Sequence, residues 1–531
     1  MKKMMAVLLL ITMLFAMAAH AEEGAQEAAA QPLTGLTAAE IVANMGVGWN
    51  IGNTFDATGY KAPDISSHET SWGNPIVDME LIQRVKDAGF NSIRIPITWY
   101  QHVSDDGTYT IDPAFIARVK EVVDYCYACD LYVIINMHHE NWLNVPELST
   151  DYEAIGVQLG AMWRQIADAF ADYDQHLIFE AMNEPRMAGT GLEWNGNKAG
   201  YAAVNYLNQI FVDVVRTEPK GYNGERALMI PGYAASSSYA AMNAITIPTV
   251  NGVEAENLII SVHCYSPYDF CLSDKQVDFN PNNRSHTNSI DSVFSNVEKL
   301  FLKKGIPVII GETGATNTQN NTAAREAWAF YMGAKSTAYG VPIFIWDNGN
   351  NQISGGECHV WVRRQLHPKL RSQRTPYPYP TVVEQLMAGA ASCERGSGLT
   401  EPEPIKSMLN GTVLWGDANG LKARQEWDNS YIQLSADAAW FAPGRTFAVI
   451  YSGSGAPKLV LDSAEKEQWW MPIDPDRIDN MADKKVAWFS VEKVLAAVAE
   501  YGIDDPAQLR NFCVISTDGM ITTFEVSYIG K

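Results

Sequence analysis

Short apolar runs rich in β-branched residues recur between residues 39 and 350, and most are followed by a stretch with apolar residues at helical spacing. The runs predict strands at 47–51, 92–96, 131–137, 177–182, 227–231, 258–263, 307–311 and 341–346. The intervening stretches predict helices at 116–129, 157–173, 204–216, 290–303 and 322–338. This alternation predicts a parallel (β/α)₈ TIM barrel. A doubly wound sheet is the alternative, weakened because no GxGxxG or Walker-type loop follows a strand.

The pattern changes after residue 390. Residues 391–404 are rich in Ser, Gly, Glu and Pro and predict a linker between two domains. From residue 405 to residue 531, short alternating runs separated by Gly, Asp and Asn predict a smaller antiparallel β-sandwich. Its strands are predicted at 412–415, 431–434, 447–451, 458–461, 487–490, 512–516 and 522–527, with one helix at 491–501.

The first residues have the pattern of a secretory signal. Lys2 and Lys3 precede an apolar run, Met4–Ala18, that is too short to span a bilayer, and Ala19-His20-Ala21 fits the cleavage rule. Residues 1–21 are therefore predicted to be a signal peptide and the protein to be secreted; a buried N-terminal helix is the alternative. Residues 22–38 are predicted to form a flexible leader, and residues 39–390 are predicted to form the barrel domain.

The composition limits the classes of binding partner more than it limits the fold. The net charge of -22 argues against nucleic acid and anionic membrane as partners, because both would be repelled, whereas a neutral polymer is compatible with it. We expect a monomer. Among the seven cysteines, Cys126 and Cys129 are interpreted as core residues because no second CxxC accompanies them. Cys264 and Cys271 could form a disulfide, which the sequence alone leaves open.

The ends of the predicted barrel strands carry the candidate chemistry. In a (β/α)₈ barrel the carboxyl ends of all strands open on one face, where functional groups lie. Six strands end in polar or aromatic groups, so a convergent site is favoured over a set of unrelated surface loops. These ends are Arg94-Ile95-Pro96, His138-His139-Glu140, Asn183-Glu184-Pro185-Arg186, His263-Cys264-Tyr265, Gly311-Glu312-Thr313-Gly314 and Trp346-Asp347-Asn348.

Two carboxylates at the ends of the fourth and seventh strands indicate glycoside hydrolysis. Glu184 and Glu312 lie on opposite sides of the predicted barrel mouth, and retention needs two carboxyls about 5 Å apart. One protonates the leaving oxygen while the other attacks the anomeric carbon. Asn183 can hold the sugar 2-hydroxyl, a contact that tightens in the transition state.

Other strand-end residues can support this pair. His263 and Tyr265 alternate along one strand and so face the same side. The Tyr265 hydroxyl and the Arg94 guanidinium can each hold a nucleophilic carboxylate in its ionised form. Trp346 offers a flat apolar face for a sugar ring.

Metal binding is the rival interpretation of the histidines. His138, His139, Glu140 and His263 do not form an HExxH pattern, and adjacent strand residues point to opposite sides. We therefore predict no metal site. For His139, a simple hydrogen-bonding role is the competing interpretation.

The residues and motifs between 39 and 350 resemble glycoside hydrolase family 5, and most closely its subfamily 4, which includes endo-β-1,4-glucanases, xyloglucanases and lichenases. The segments that carry the resemblance are Gly48–Thr54, Arg94–Pro96, Phe179–Arg186, Val262–Tyr265 and Gly311–Ala315. The resemblance implies Glu184 as acid/base and Glu312 as nucleophile, and no cofactor. It implies that the subsite of the cleaved sugar is lined by Arg94, His138, Asn183, His263, Tyr265 and Trp346. Weaker candidates for substrate contact are Asn53, His139, Trp72 and Trp142.

The function predicted from these residues is a secreted retaining endo-β-1,4-glucanase that acts on a β-glucan such as cellulose, xyloglucan or mixed-linkage glucan. A xyloglucanase, mixed-linkage glucanase or mannanase with the same mechanism is the alternative. A non-catalytic glycan-binding protein is the alternative from another class. It is kept open by residues 358–376, where the family pattern is interrupted by five Lys/Arg and two His without an acidic residue. A basic insertion and a local reading-frame shift both account for that stretch.

The C-terminal module is rich in tryptophan, and exposed aromatic rings stack on the faces of sugars. It resembles a β-sandwich carbohydrate-binding module, although large aromatics also dominate small β cores. Six of the fifteen Trp of the chain lie here: Trp415, Trp427, Trp440, Trp469, Trp470 and Trp488.

Overall fold

The computed structural model describes residues 32–59, 65–273, 275–317, 321–350, 357–366, 374–399, 409, 412–423, 432–464, 466, 468–481, 484–516 and 521–530. The chain separates into two compact units between Leu399 and Thr400. The predicted signal peptide lies outside the described residues, as do parts of the predicted leader and linker. Among the described residues, no helix combines the length and apolar composition that crossing a bilayer requires.

Eight parallel strands close into a barrel in the first unit, which confirms the predicted (β/α)₈ fold. The sheet order around the barrel is β1-β8-β7-β6-β5-β4-β3-β2, so strands that are neighbours in sequence are neighbours in space. The strands are β1 Gly48–Ile51, β2 Ser92–Ile95, β3 Tyr132–Asn136, β4 Leu177–Glu180, β5 Leu228–Ser236, β6 Leu258–His263, β7 Val308–Thr313 and β8 Ile343–Asp347.

Helices alternate with these strands and begin at clear capping residues. Asp78, Asn197 and Asn283 each accept a hydrogen bond from a backbone N–H of the helix that follows, which satisfies a donor left free in the first turn. The helices are α1 Ala38–Asn44, α2 Ile65–Thr70, α3 Met79–Asp87, α4 Pro113–Ala128, α5 Leu148–Ala169, α6 Lys198–Arg216, α7 Tyr239–Asn243, α8 Tyr268–Cys271, α9 Arg284–Leu300, α10 Thr322–Tyr339 and α11 Pro380–Ala391.

The barrel interior changes from apolar to polar along the strands. Near its amino-terminal end, Ile134, Ile178, Ile259 and Ile309 form one buried cluster with residues of α1, including Ile41, so that α1 packs against this end of the barrel. Because side chains alternate in a strand, the residues two positions later face the same interior. In three of these strands they are the polar residues Asn136, Glu180 and Ser261, all fully buried. The sequence therefore places a polar layer beneath the carboxyl-terminal opening.

The basic stretch after β8 packs against the barrel in its described parts, 358–366 and 374–376. The Asp347 carboxylate at the end of β8 accepts hydrogen bonds from the backbone N–H groups of Trp361 and Val362 and from Trp49 Nε1, each at 2.9 Å. The guanidinium of Arg364 lies over the Trp49 ring at 4.6 Å. Residues 357–366 thus cover the outer end of β8 and β1. The remainder of the stretch lies outside the described residues.

The cysteines of the chain are all free thiols, and all but Cys393 are buried. Cys126 and Cys129 lie in or next to α4 and belong to the apolar core, as predicted. Cys264 and Cys271 are both buried and are not joined, so the possible disulfide between them is not formed.

The second unit consists of two antiparallel sheets whose inner faces share one apolar core, which is the predicted β-sandwich architecture. One sheet has the order β9-β17-β11-β15-β14 and the other β10-β16-β12-β13. The helix α12, Val491–Ala499, follows β15. The strands are β9 Thr412–Ala423, β10 Ile432–Ser435, β11 Thr446–Gly453, β12 Pro457–Ser463, β13 Gln468–Ile473, β14 Arg477–Met481, β15 Lys484–Ser490, β16 Asn511–Ser516 and β17 Ile521–Ile529.

Two of these strands were not predicted from the sequence. Both lie at the edge of a sheet, where the usual pattern is weakest. β13 contains Pro472, which edge strands tolerate and central strands do not. Most of β14 is exposed, and its apolar residues Ile478 and Met481 are three positions apart, so its sequence lacks apolar alternation.

Candidate active site

Arg94 at the end of β2 is the centre of a buried hydrogen-bond network. Its Nη1 donates to Glu312 Oε1 at 2.9 Å, its Nη2 to Asn183 Oδ1 at 2.7 Å, and its Nε to Glu180 Oε2 at 2.7 Å. A fourth bond joins Nη1 to Asn50 Oδ1 at 3.0 Å. A buried guanidinium is tolerated because its donors are paired with two carboxylates. Arg94 therefore fixes the ends of β4 and β7 with respect to each other.

Glu312 at the end of β7 is held by donors on both of its oxygens. Arg94 reaches Oε1, and the Tyr265 hydroxyl donates to Oε2 at 3.0 Å. Burial raises the pKa of Tyr265 well above its ordinary value, so this phenol keeps its proton and donates. Burial raises the pKa of Glu312, and the charges of His263 and Arg94 oppose that rise. The ionised form of Glu312 thus depends on these cations.

Glu184, just beyond β4, has a different set of partners. Its Oε1 lies 2.8 Å from His263 Nδ1, and its Oε2 lies 3.4 Å from Arg186 Nη1. Burial raises the pKa of Glu184, but the hydrogen bond and charge of His263 outweigh it and lower the pKa overall. Burial lowers the pKa of His263, whereas Glu312 and Glu184 reverse that effect and raise it. Both shifts place the proton of this short contact on His263 and leave Glu184 ionised, so His263 holds a proton that Glu184 can take up.

The two carboxylates face each other across the barrel mouth. An oxygen of Glu184, a ring nitrogen of His263 and an oxygen of Glu312 all lie within 4.8 Å of one another. That spacing is the one that direct attack on an anomeric carbon requires, and it is too short for a water molecule to act between a sugar and a carboxylate as in inversion. The geometry suits double displacement.

An aromatic surface borders the carboxylates. The rings of His138 and Trp346 are nearly parallel, at 4° and a centroid distance of 5.8 Å. Burial, with His139 and Arg94 nearby, lowers the pKa of His138 well below its ordinary value, so His138 is neutral and its Nε2 lies 3.9 Å from Glu312 Oε1. A Cβ on Gly52 would lie 2.7 Å from the Trp346 ring, so the glycine leaves space for the indole.

The structure brings six predicted site residues into contact with Glu184, with Glu312 or with one another: Arg94, His138, Asn183, His263, Tyr265 and Trp346. His139 is one step further out, with its ring against His138 at 4.4 Å. Asn53 lies in the loop after β1, where its backbone N–H donates to Asp56. No hydrogen bond joins His139 or Asn53 to Glu184 or Glu312 among the described residues, although the charge of Glu184 acts on His139 and opposes the fall in its pKa that burial causes.

The two tryptophans that were weaker candidates differ in exposure. Trp72 is 40% exposed and its ring lies 6.1 Å from that of His139. Trp142 is partly buried and donates from Nε1 to the buried carboxylate of Glu140 at 2.8 Å. Trp72 therefore offers more surface to a ligand.

The sequence-based prediction missed four members of the network: Asn50, Asn136, Glu180 and Ser261. Glu180 accepts from Arg94, from Asn136 Nδ2 at 3.0 Å and from Ser261 Oγ at 2.7 Å, all within the barrel. Glu180 and Ser261 lie before the ends of the predicted strands 177–182 and 258–263, so a search restricted to predicted strand ends passes over them. A charged residue within an apolar strand was the available signal.

Two clusters of carboxylates and histidines have the spacing of a cation site. One is Glu184, His263 and Glu312, and the other is Asp56, His138 and His139. In the first cluster the carboxylates already pair with Arg94 and His263, and the guanidinium keeps its charge, so an added cation would be repelled. In the second, the Asp56 carboxylate accepts from two backbone N–H groups. The prediction that no metal takes part stays a prediction.

Comparison with known families supports the same chemistry. Residues 55–352 match the cellulase model of glycosyl hydrolase family 5. The chain belongs to glycoside hydrolase family 5. It is therefore a glycoside hydrolase, and the resemblance seen in the sequence is confirmed. Residues 412–526 match domain 1 of carbohydrate-binding module 65, which agrees with the predicted module.

The relatives of this family 5 chain cover mainly its barrel. It is 42% identical to endoglucanase A of Clostridium longisporum over 62% of this chain and 62% of that protein. It is 40% identical to endoglucanase B of Neocallimastix patriciarum over 63% of this chain and 70% of that protein. A similar structure is a GH5-4 broad specificity endoglucanase from Ruminococcus flavefaciens. It is 41% identical over 67% of this chain and 99% of that chain, with a TM-score of 0.61. Another similar structure is a GH5-4 broad specificity endoglucanase from Ruminococcus champanellensis with bound cellotriose. It is 36% identical over 67% of this chain and 99% of that chain, with a TM-score of 0.61.

Proposed function

We propose that the chain is a retaining endo-β-1,4-glucanase. The observation that carries the proposal is the pair of carboxylates, Glu184 and Glu312, whose oxygens approach within 4.8 Å and whose partners differ. Glu312 is held by Arg94 and Tyr265, which favour an ionised nucleophile. Glu184 lies 2.8 Å from Nδ1 of the protonated His263, which can supply the proton that an acid delivers.

The first step forms a covalent bond to the enzyme. A Glu312 oxygen attacks the anomeric carbon as Glu184 donates its proton to the glycosidic oxygen, so the leaving chain departs as a neutral alcohol. That proton reaches Glu184 from His263 Nδ1, at 2.8 Å, so the step leaves His263 neutral and Glu184 ionised. As the charge of Glu312 is consumed, Arg94 remains neutralised by Glu180, because its Nε holds that second carboxylate.

The second step restores the enzyme. Glu184, now ionised, takes a proton from water, and the water oxygen attacks the anomeric carbon from the side that the leaving group vacated. Two inversions give net retention. Asn183, fixed by Arg94 at 2.7 Å, is placed to bind the hydroxyl next to the anomeric carbon in both transition states.

Polymeric β-glucan is the proposed substrate, through attack on internal bonds. Relatives over the barrel are named endoglucanases, and one similar structure from Ruminococcus champanellensis holds cellotriose. Xyloglucan and mixed-linkage glucan fit the same catalytic geometry. The signal-like pattern of residues 1–21 supports action outside the cell, where such polymers occur.

The proposed function is tested by reducing-sugar release from carboxymethyl cellulose, xyloglucan, mixed-linkage glucan and mannan. We expect release from at least one of the three glucans, with a rapid fall in viscosity because internal bonds are cut. The anomeric configuration of the first product, followed by NMR, should be that of the substrate. Release from mannan alone would contradict the glucanase proposal, and an inverted product would contradict the mechanism.

For the C-terminal module, we propose binding to the same glucan. Trp415 and Trp440 pack against the sandwich core, whereas Trp470 is 40% exposed on the edge strand β13. The guanidinium of Arg477 lies 5.0 Å from the Trp488 ring. Trp427 and the side chain of Trp469 lie outside the described residues. The exposed part of the Trp470 side chain offers a surface on which a sugar can stack.

A fragment of residues 400–531 should migrate more slowly in an affinity gel that contains xyloglucan or β-glucan than in a gel without glycan. Its separate apolar core supports folding as an isolated unit. Trp470→Ala should reduce the retardation, and Tyr501→Ala, an exposed aromatic beyond α12, is the matched control. Identical migration of the unmodified fragment in all gels would contradict the binding role.

A further inference from the structure

A loop that follows β4 carries an exposed tryptophan near the catalytic carboxylates. The loop runs from Arg186 to Asn197, which caps α6, and Trp194 is 56% exposed within it. Trp194 has the largest exposed fraction of any tryptophan in the described part of the chain. A tryptophan contributes to stability chiefly when it is buried, so an exposed one is more consistent with binding than with folding.

The loop is held by the hydroxyl groups of the buried Tyr233 and the partly buried Tyr201. The Tyr233 hydroxyl accepts from Met187 N at 2.8 Å and donates to Leu192 O at 2.9 Å, so it joins two turns of the loop. The Tyr201 hydroxyl donates to Asn195 O at 2.6 Å, beside Trp194. These bonds place the indole in advance, and a preformed surface loses less entropy when a ligand binds.

Arg186 connects this indole to the proposed acid/base. Its guanidinium carbon lies 4.5 Å from the centre of the Trp194 ring, its Nη1 lies 3.4 Å from Glu184 Oε2, and its Nε donates to Glu193 Oε1 at 3.2 Å. The indole is therefore separated from the Glu184 carboxylate by a single guanidinium. One face of the ring is covered by the cation and the rest is open to solvent.

The two oxygens of Glu184 define two sides of the site. Oε1 faces His263, whose Nδ1 also lies 3.6 Å from Glu312 Oε2, so this is the side of the nucleophile and of the sugar that becomes covalently bound. Oε2 faces Arg186 and, beyond it, Trp194. Because the acid stands between the attacked sugar and the leaving group, the leaving chain extends past Glu184 on the side away from Glu312.

We propose that Trp194 is a binding platform for the leaving-group sugars, where the open part of the indole stacks on a glucosyl ring beyond the cleaved bond. The same surface receives an acceptor in the second step, because a sugar hydroxyl can replace water there. This proposal rests on the retaining mechanism proposed above. It assigns Trp194 to the leaving-group side, opposite to Trp346 and His138.

The test separates the two halves of the reaction. A dinitrophenyl cellobioside with fluorine in place of the hydroxyl next to the anomeric carbon should trap the glycosyl-enzyme, since its leaving group needs neither a proton nor a sugar platform. Added cellobiose should then reactivate the trapped wild-type enzyme by transglycosylation. In Trp194→Ala, trapping and the slow reactivation in buffer should be unchanged, while the cellobiose concentration for half-maximal reactivation should rise about tenfold or more.

Two control variants, Tyr206→Ala and Trp194→Phe, separate a loss of sugar binding from a general effect of removing an aromatic ring. Tyr206→Ala removes an aromatic ring of similar exposure that packs against Tyr152 on α5 and α6, and it should behave as wild type. Trp194→Phe should recover part of the acceptor effect, because a smaller ring remains. Equal response of Trp194→Ala and wild type to cellobiose would overturn the proposal. An equal loss of reactivation in buffer would overturn it as well, because Trp194 would then act by positioning Arg186 and Glu184. Failure to trap the wild-type enzyme would instead overturn the proposed mechanism.

Discussion

Glu312→Ala is expected to lower the rate of β-glucan hydrolysis by about 10³-fold or more, because the covalent path disappears with the nucleophile. Folding should survive, since Arg94 keeps Glu180 as a partner after one carboxylate is removed. Binding of polysaccharide should also remain, because Asn183, Trp346 and the C-terminal module are unchanged. Initial rates on a soluble glucan, with gel retardation measured in parallel, test this combination.

Azide should rescue this variant and change its stereochemistry. The space left by the carboxylate admits a small anion, which attacks an activated cellobioside once and gives a glycosyl azide of inverted configuration. Glu312→Gln is the matched control, because its amide fills the same space and should be inactive without rescue. Near-wild-type hydrolysis by Glu312→Ala would remove this residue from the role of nucleophile.

The eight barrel strands could be predicted because each is a buried run with few alternatives. The catalytic pair could be predicted because Glu184 and Glu312 directly follow such runs, and the fold requires strand ends to meet. What the sequence did not show is which oxygen faces which partner. That His263 Nδ1 lies closer to Glu184, at 2.8 Å, than to Glu312, at 3.6 Å, depends on side-chain positions that the sequence does not specify.

Residues inside strands were harder to interpret. Glu180 and Ser261 occupy positions that period-two alternation assigns to the interior, yet the sequence does not say that they meet across the barrel at 2.7 Å. Arg94, which donates to Glu180, was predicted to hold only the nucleophilic carboxylate. A buried guanidinium needs more than one acceptor, so a search for a second carboxylate facing the interior would have found Glu180.

Loops and edges were the least predictable parts. The platform residue Trp194 lies in a loop whose sequence has no apolar periodicity. The loop is held by hydrogen bonds of Tyr233 on β5 and Tyr201 on α6, which are distant in sequence from parts of the loop. The packing of residues 357–366 on Asp347 likewise depends on backbone N–H groups, which any sequence possesses. Such contacts leave no residue pattern to detect.

Glu184→Ala is expected to behave differently from Glu312→Ala, in a way that depends on the leaving group. A natural glucan leaves as a poor alkoxide and needs a proton, and transfer from a placed side chain contributes about 10² to 10⁴-fold. The variant should lose about that factor on glucan. A dinitrophenyl cellobioside leaves as a stabilised phenolate, so the glycosyl-enzyme should still form quickly.

The second step of this variant should be slow, because the same residue activates water. Stopped-flow measurement should therefore show a burst of dinitrophenol followed by slow turnover. Glu193→Gln is the matched control: Glu193 also contacts Arg186, at 3.2 Å, but does not reach the sugar, and no burst is expected from it. Absence of a burst together with an equal loss of the first step on both substrates would show that Glu184 is not the acid.

The pH dependence gives an independent check on the proton of His263. Glu312 and Glu184 raise the pKa of His263 above its ordinary value despite burial, so His263 keeps its proton to a higher pH than an ordinary imidazole and loses it as the pH rises through that raised pKa. Wild-type kcat/KM on glucan should therefore fall on the alkaline side. Burial raises the pKa of Glu312, so activity should also fall as acid protonates the nucleophile. For the burst step of Glu184→Ala the alkaline fall should vanish, because no proton is delivered, while the acid fall should persist. An alkaline fall of unchanged size in that step would mean that His263 acts on Glu312 rather than through Glu184.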